Sequence, residues 1–155
     1  IAGNLVNVYS DNAGKDGWEK ITLASTIGGM VINTAGVTLA HGMEHPASGL
    51  RDIVHGKGLA ALTPAIIEAS YTGNESKFAD IAKLFGGKEA KDLALKIREL
   101  LKSINLNCTL SDLGIEEKDI PWMAENCMKV SAASVANNPV VFTQEQIADI
   151  YKKAL

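Results

Sequence analysis

Three features of the 155-residue chain predict an all-α fold. Apolar residues recur at helical spacing in the later half, no run of five or more residues alternates apolar with polar, and Gly, Asn and Pro gather between the periodic segments. Together they describe a helical bundle of about six or seven helices joined by short turns, with no internal repeat. The length suits one domain spanning residues 1–155.

Composition narrows the function classes. With 46% hydrophobic and 21% charged residues the chain has the make-up of a globular domain rather than a disordered or low-complexity one. Its 15 Lys and Arg against 18 Asp and Glu give a net charge of −3. That balance offers no basic excess to draw nucleic acid or anionic lipid. Aromatic residues are only 5%, too few to build a stacking platform for single strands. Neither a nucleic-acid nor a membrane partner is expected. Cys108 and Cys127 form no CxxC pair, which reads as reduced thiols of a cytoplasmic protein. The opening IAGNLVNVYS has neither the basic start nor the cleavage-like end of a signal peptide, and it lacks an initiator Met, which suits a processed or excised piece.

The helices follow in chain order. Ile21 to Ala40 is a twenty-residue stretch without a charge, as long as a membrane span, but only eleven of its residues are apolar, while three are Gly and six are Thr, Ser or Asn. Small side chains of this kind favour close packing against other helices, so the segment is expected to be a buried helix at the centre of the bundle. A second helix is expected from about Gly58 to Ser70. Thr72 with Glu75 has capping-box spacing for a third, which Gly86 and Gly87 stop. In AKDLALKIRELLKSIN, Leu93, Ile97, Leu100, Leu101 and Ile104 form one apolar stripe of an amphipathic helix. Pro121 opens a helix through Met123, Cys127 and Val130 that Asn137, Asn138 and Pro139 close. Thr143 with Gln146 caps the last one.

The chemistry gathers in LAHGMEHPASGLRDIVHGKGLAALTP, which holds all three histidines. On a helix His41 and His45, at i and i+4, share a face, and Glu44 lies beside them. HxxEH is also a zinc-protease signature, with two His on the metal and Glu activating water. Pro46 disfavours a helical residue before it, so a kink is expected directly after His45. His41 and His55 would stand roughly 21 Å apart on a straight helix, whereas two nitrogens on one transition metal lie within about 4 Å of each other. The chain must fold back between them for a shared ion, and Pro46, Ser48, Gly49 and Gly56 supply breaks. The plain alternatives are three unrelated surface or capping histidines, or structural histidines in a stand-alone helical binding or scaffold module. Gly56, Gly58 and Ala61 formally fit a GxGxxA dinucleotide fingerprint, which works only after a strand in a βαβ unit, and no such pattern is present.

The stretch WEKITLASTIGGMVINTAGVTLAHGMEHPASGLRDIVHGKGLAALTP, continued by LLKSINLNCTLSDLGI, DIPWMAENC and NNPVVFTQEQIADIYKKAL, resembles the C-terminal helical domain of the iron-containing, or group III, alcohol dehydrogenases over essentially all 155 residues. The resemblance implies a dehydroquinate-synthase-like C-terminal helical domain that binds metal, in a piece lacking the N-terminal nucleotide-binding domain. By position, His41 and His55 look like two metal ligands, and His45 looks like the non-ligand histidine beside the nicotinamide and the substrate, with a part in proton relay. The family's remaining ligands, an Asp and a third His, would lie upstream of Ile1, as would its pyrophosphate loop. The implied activity is hydride transfer between a small alcohol or aldehyde and NAD(P), with Fe²⁺ or Zn²⁺ on the substrate oxygen, in a homo-oligomer. Alone, the 155 residues are expected to fold but not to catalyse. Two positions depart from the family pattern: Val54 stands where Pro is common, leaving the approach to His55 less rigid, and Lys57 replaces a small or apolar residue. Glu44 is expected to be a solvated or capping side chain rather than a general base.

Overall fold

A computed structural model describes residues 1–155. It contains nine α-helices and no strand: α1 (Leu5–Tyr9), α2 (Gly14–Ala35), α3 (Leu39–Arg51), α4 (His55–Ser70), α5 (Glu75–Leu84), α6 (Asp92–Ser103), α7 (Ile120–Val130), α8 (Ala132–Ala136) and α9 (Gln144–Ala154). The first and eighth are single short turns of five residues each, so the seven longer helices are the six or seven the sequence predicts.

The centre of the bundle is α3, which packs against α4, α7 and α8, while α9 closes over α4 and α7. Leu39, Met43 and Ala47 from α3 meet Leu62 and Ala65 from α4, Met123 and Cys127 from α7, and Ile147 and Tyr151 from α9 in one apolar core. Tyr151 is fully buried and its hydroxyl donates to the Met43 carbonyl at 2.5 Å, tying the last helix to the middle of α3. Burial pushes the phenol far above its ordinary range, so it stays a donor.

The expectation that Ile21 to Ala40 forms a single buried central helix is corrected. The stretch divides at Gly36, whose φ of 72° and ψ of −164° lie in a region open essentially only to glycine. Asn137 holds the corner by donating to the carbonyls of Ala35 and Val37. The helices on either side of it cross at 98°. Of the residues in the stretch only Leu39, after the corner, is buried. In α2, Gly17 alone is buried, and Trp18, Leu23, Ile27, Met30, Val31 and Ile32 are each half exposed or more. An uncharged run tells that a helix needs apolar cover; it does not tell whether the covering surface is part of the same 155 residues. No single helix is long and apolar enough to cross a membrane.

Pro46 also behaves differently from expectation. The α3 helix runs through it unbroken to Arg51, although proline removes one backbone donor and costs about 3 kcal/mol in a helix interior. Pro46 is itself buried, as are Met43 and Ala47 on the same helix, and apolar burial of this kind favours keeping the helix continuous despite the lost donor. The fold reversal comes later, at Asp52, which caps α3 in the left-handed conformation (φ 51°, ψ 43°). Val54 is extended and α4 starts at His55, three residues before the predicted Gly58.

Further along, Asn74 rather than Thr72 caps α5, its side chain accepting from the Lys77 amide. Gly86, at φ 80°, ends that helix as expected. The helix opened by Pro121 stops at Val130, and a separate α8 fills the space before Asn137. The Thr143 and Gln146 capping box is formed.

Burial raises the Cys127 thiol to about 11, whereas Cys108 is half exposed at the surface. At pH about 8 only roughly one part in a thousand of Cys127 is thiolate, and the side chain is enclosed as well. Titration with an aromatic disulfide reagent should therefore find one reactive thiol in the folded protein and two in denaturant. Two fast thiols in the folded state would contradict this packing of α7.

Candidate metal centre

Three structural facts build the site. The unbroken α3 helix places His41 and His45 one turn apart on one face. The reversal at residues 52–54 then sets His55 at the first position of α4, back over that face. Finally, the packing of α3 against α4 keeps the two helix ends together. The His41 and His55 ring centroids are 5.2 Å apart, those of His45 and His55 5.8 Å, and those of His41 and His45 6.1 Å. Fourteen residues of sequence separation have been folded into van der Waals reach.

Glu44 is where the structure departs most from expectation. It is not solvated and it caps nothing: it is 0% exposed, beneath the imidazoles. One carboxylate oxygen, Oε1, is hydrogen-bonded to the Ser48 hydroxyl, and the other, Oε2, to His55 Nδ1. The Ser48 oxygen also lies 3.0 Å from the Ile53 carbonyl, inside the reversal. Gly58 makes the room, because a Cβ at that position would lie 2.6 Å from Glu44 Oε1 and 2.8 Å from its Cγ. Sequence reasoning missed Ser48 and Gly58 as members of the site. The available signal was a carboxylate flanked by residues facing a core, with a hydroxyl four positions on.

A zinc-protease role needs the Glu44 carboxylate turned to a water molecule, and here both oxygens are enclosed and engaged. The GxGxxA reading fails because Gly56 and Gly58 lie inside α4 with no strand before them. A scaffold with dispersed histidines does not fit rings gathered within about one side-chain diameter of each other.

The donor set suits a borderline divalent ion, since imidazole and carboxylate serve both iron and zinc. Ligating atoms of Glu44, His45 and His55 lie within 4.8 Å of one another, a trio that differs from the pair His41 and His55 implied by the resemblance. His55 belongs to both sets. Of the rest, Glu44 already serves Ser48 and His55, and the ring nearest His55 is that of His41. His45 and His55 are exposed on their outer side, so the cluster is open toward solvent.

The His41 pKa is held below 6.5, chiefly by burial and next by the neighbouring His55 and His45, with Glu44 pulling the other way. A neutral imidazole is the form that binds a metal. Above pH 6.5 both folded and unfolded chains carry His41 neutral. Below it the unfolded chain takes up a proton that the folded one resists, so stability is lost as pH falls toward and through the folded value. The thermal midpoint of metal-free protein should fall below pH about 6.5, and His41→Gln should flatten that slope; identical slopes would contradict it.

All of residues 1–155 match the profile described as "Fe-containing alcohol dehydrogenase family, C-terminal". The chain is 35% identical over 162 aligned positions to a 1,3-propanediol dehydrogenase of Klebsiella pneumoniae, covering 99% of this chain and 41% of that protein. It is 30% identical to a lactaldehyde reductase of Escherichia coli, again covering 99% and 41%. Among solved structures it superposes on a 1,3-propanediol oxidoreductase with a TM-score of 0.89 at 33% identity, covering 99% of this chain and 42% of that one. An archaeal halo-thermophilic alcohol dehydrogenase from a Red Sea brine pool gives 0.89 at 30% identity, covering 99% and 41%. The chain thus spans about two fifths of the length of the relatives it matches.

Proposed function

Because the chain belongs to the Fe-containing alcohol dehydrogenase family, we propose that it supplies the metal-holding helical part of an NAD(P)-linked dehydrogenase that interconverts small alcohols with aldehydes or ketones. One observation carries the reading: in a chain of this family, the reversal at residues 52–54 sets His55 beside His41. In it, His41 and His55 hold a divalent ion, Fe²⁺ or Zn²⁺, through neutral imidazole nitrogens. Bound there, the ion supplies Lewis acidity at the substrate oxygen. His45, exposed and 5.8 Å from His55, would relay the hydroxyl proton to solvent, and a nicotinamide bound beside it would supply the hydride acceptor. The open outer side of the cluster is covered by other polypeptide, which brings the remaining ligands and most of the NAD(P) contacts.

Two imidazoles leave most coordination positions to water, so these residues alone should hold an ion weakly and turn nothing over. Calorimetric titration with Zn²⁺ should give a weak, single-site isotherm that His41→Ala and His55→Ala each weaken further. Mixtures with NADH, a short aldehyde and either ion should show no consumption of NADH. Steady turnover by the 155 residues, or zinc binding indifferent to both substitutions, would refute this division of labour.

The reading extends to a homo-oligomer and to the cytoplasm. Free Cys108 and Cys127 support a reducing compartment. The apolar side chains left open along α2 support assembly, since covering each one recovers about 1–2 kcal/mol. Light scattering should show mass rising above 16.4 kDa with concentration, and Ile27→Lys with Met30→Lys should return it to the monomer value. A concentration-independent monomer in the unsubstituted protein would count against assembly through α2.

A further inference from the structure

We propose that Glu44 is a positioning residue that fixes the tautomer and ring orientation of His55, and that Gly58 is the gap in α4 that lets it do so. The proposal rests on the reading of His55 as an ion donor. A neutral imidazole carries one N–H, and whichever nitrogen holds it cannot donate a lone pair to a metal. His55 Nδ1 meets Glu44 Oε2, and a carboxylate accepts without donating. The proton therefore sits on Nδ1, and Nε2 is left with its lone pair free.

The carboxylate is itself held. Its second oxygen takes the Ser48 hydroxyl from one turn further along α3. The same hydroxyl oxygen lies 3.0 Å from the Ile53 carbonyl, so the helix that carries Glu44 and the reversal that delivers His55 are joined at one side chain. A hydroxyl has one proton and serves one of those two acceptors at a time. Burial makes the arrangement consequential: a carboxylate that is 0% exposed is costly without partners, and each of its oxygens has one. The backbone of Gly58 passes where a side chain would strike Oε1 at 2.6 Å, so the acidic residue on α3 and the missing side chain on α4 are complementary. Hydrogen bonding of this kind, from the non-ligating nitrogen to a carboxylate, orients a ligand imidazole and raises its basicity.

The test is spectroscopic and needs neither cofactor nor turnover. Imidazole ¹⁵N spectra of metal-free protein at pH about 8.5, where free imidazole is neutral, should show His55 with its proton on Nδ1. In Glu44→Ala that preference should be lost, and zinc affinity should fall 10–100-fold. Gly58→Ala should move both readouts the same way by displacing the carboxylate. An Nε2–H tautomer in the unsubstituted protein overturns the proposal without reference to any variant, and so does an unchanged zinc affinity in folded Glu44→Ala. Failure of the ion reading looks different: the unsubstituted protein would keep Nδ1–H at His55 and bind no zinc.

Discussion

A buried carboxylate on one helix, gripped by the first residue of the next, is the constraint around which the centre is organised. Glu44 is enclosed in the seam between α3 and α4 and bonded to Ser48 on its own helix and His55 on the other. Removing either partner would leave part of that carboxylate without its hydrogen bonds in a place water does not reach, an expensive condition. The three-residue reversal at 52–54 is thereby fixed at both ends. Asp52 turns the chain in the left-handed conformation, and His55 is caught on arrival.

This constraint makes sense of the helices around it. Tyr151 reaches from α9 to the Met43 carbonyl, one residue from Glu44. Arg51, at the end of α3, pairs with Asp119 at 2.7 Å and donates to the Gly114 carbonyl, anchoring the start of the reversal to the segment before α7. The imidazole-bearing turns of α3 and the N-terminus of α4 are thus held by helices from the far end of the chain. Rigidity behind the rings contrasts with openness in front of them. His45 and His55 face outward, and the apolar side of α2 is uncovered.

Much of the fold was legible because helical periodicity and turn chemistry act locally. The α6 stripe, the Thr143 capping box and the stop at Gly86 need only neighbours a few residues away. The histidine cluster was legible as a requirement, that the chain turn back between His41 and His55, while the place of the turn was not. Pro46 looked like the break, yet tertiary burial carried α3 through it, and the real reversal uses the conformational tolerance of Asp52. The Ile21 to Ala40 stretch misled for a related reason: absence of charge registers a demand for apolar contact and says nothing about who supplies it. Glu44 was least legible of all. Its role depends on Gly58, fourteen positions away, lacking a side chain, a relation that no window of local sequence contains.

The central claim is that His41 and His55 are two corners of one metal site, with Glu44 behind them and His45 outside it. X-ray absorption at the zinc edge of protein loaded above its dissociation constant counts the bound imidazoles directly. The account predicts two, reduced by one in His41→Gln and in His55→Gln and unchanged in His45→Gln. A count that survives the loss of His41 but drops with the loss of His45 would contradict it, and would place the ion among Glu44, His45 and His55 instead.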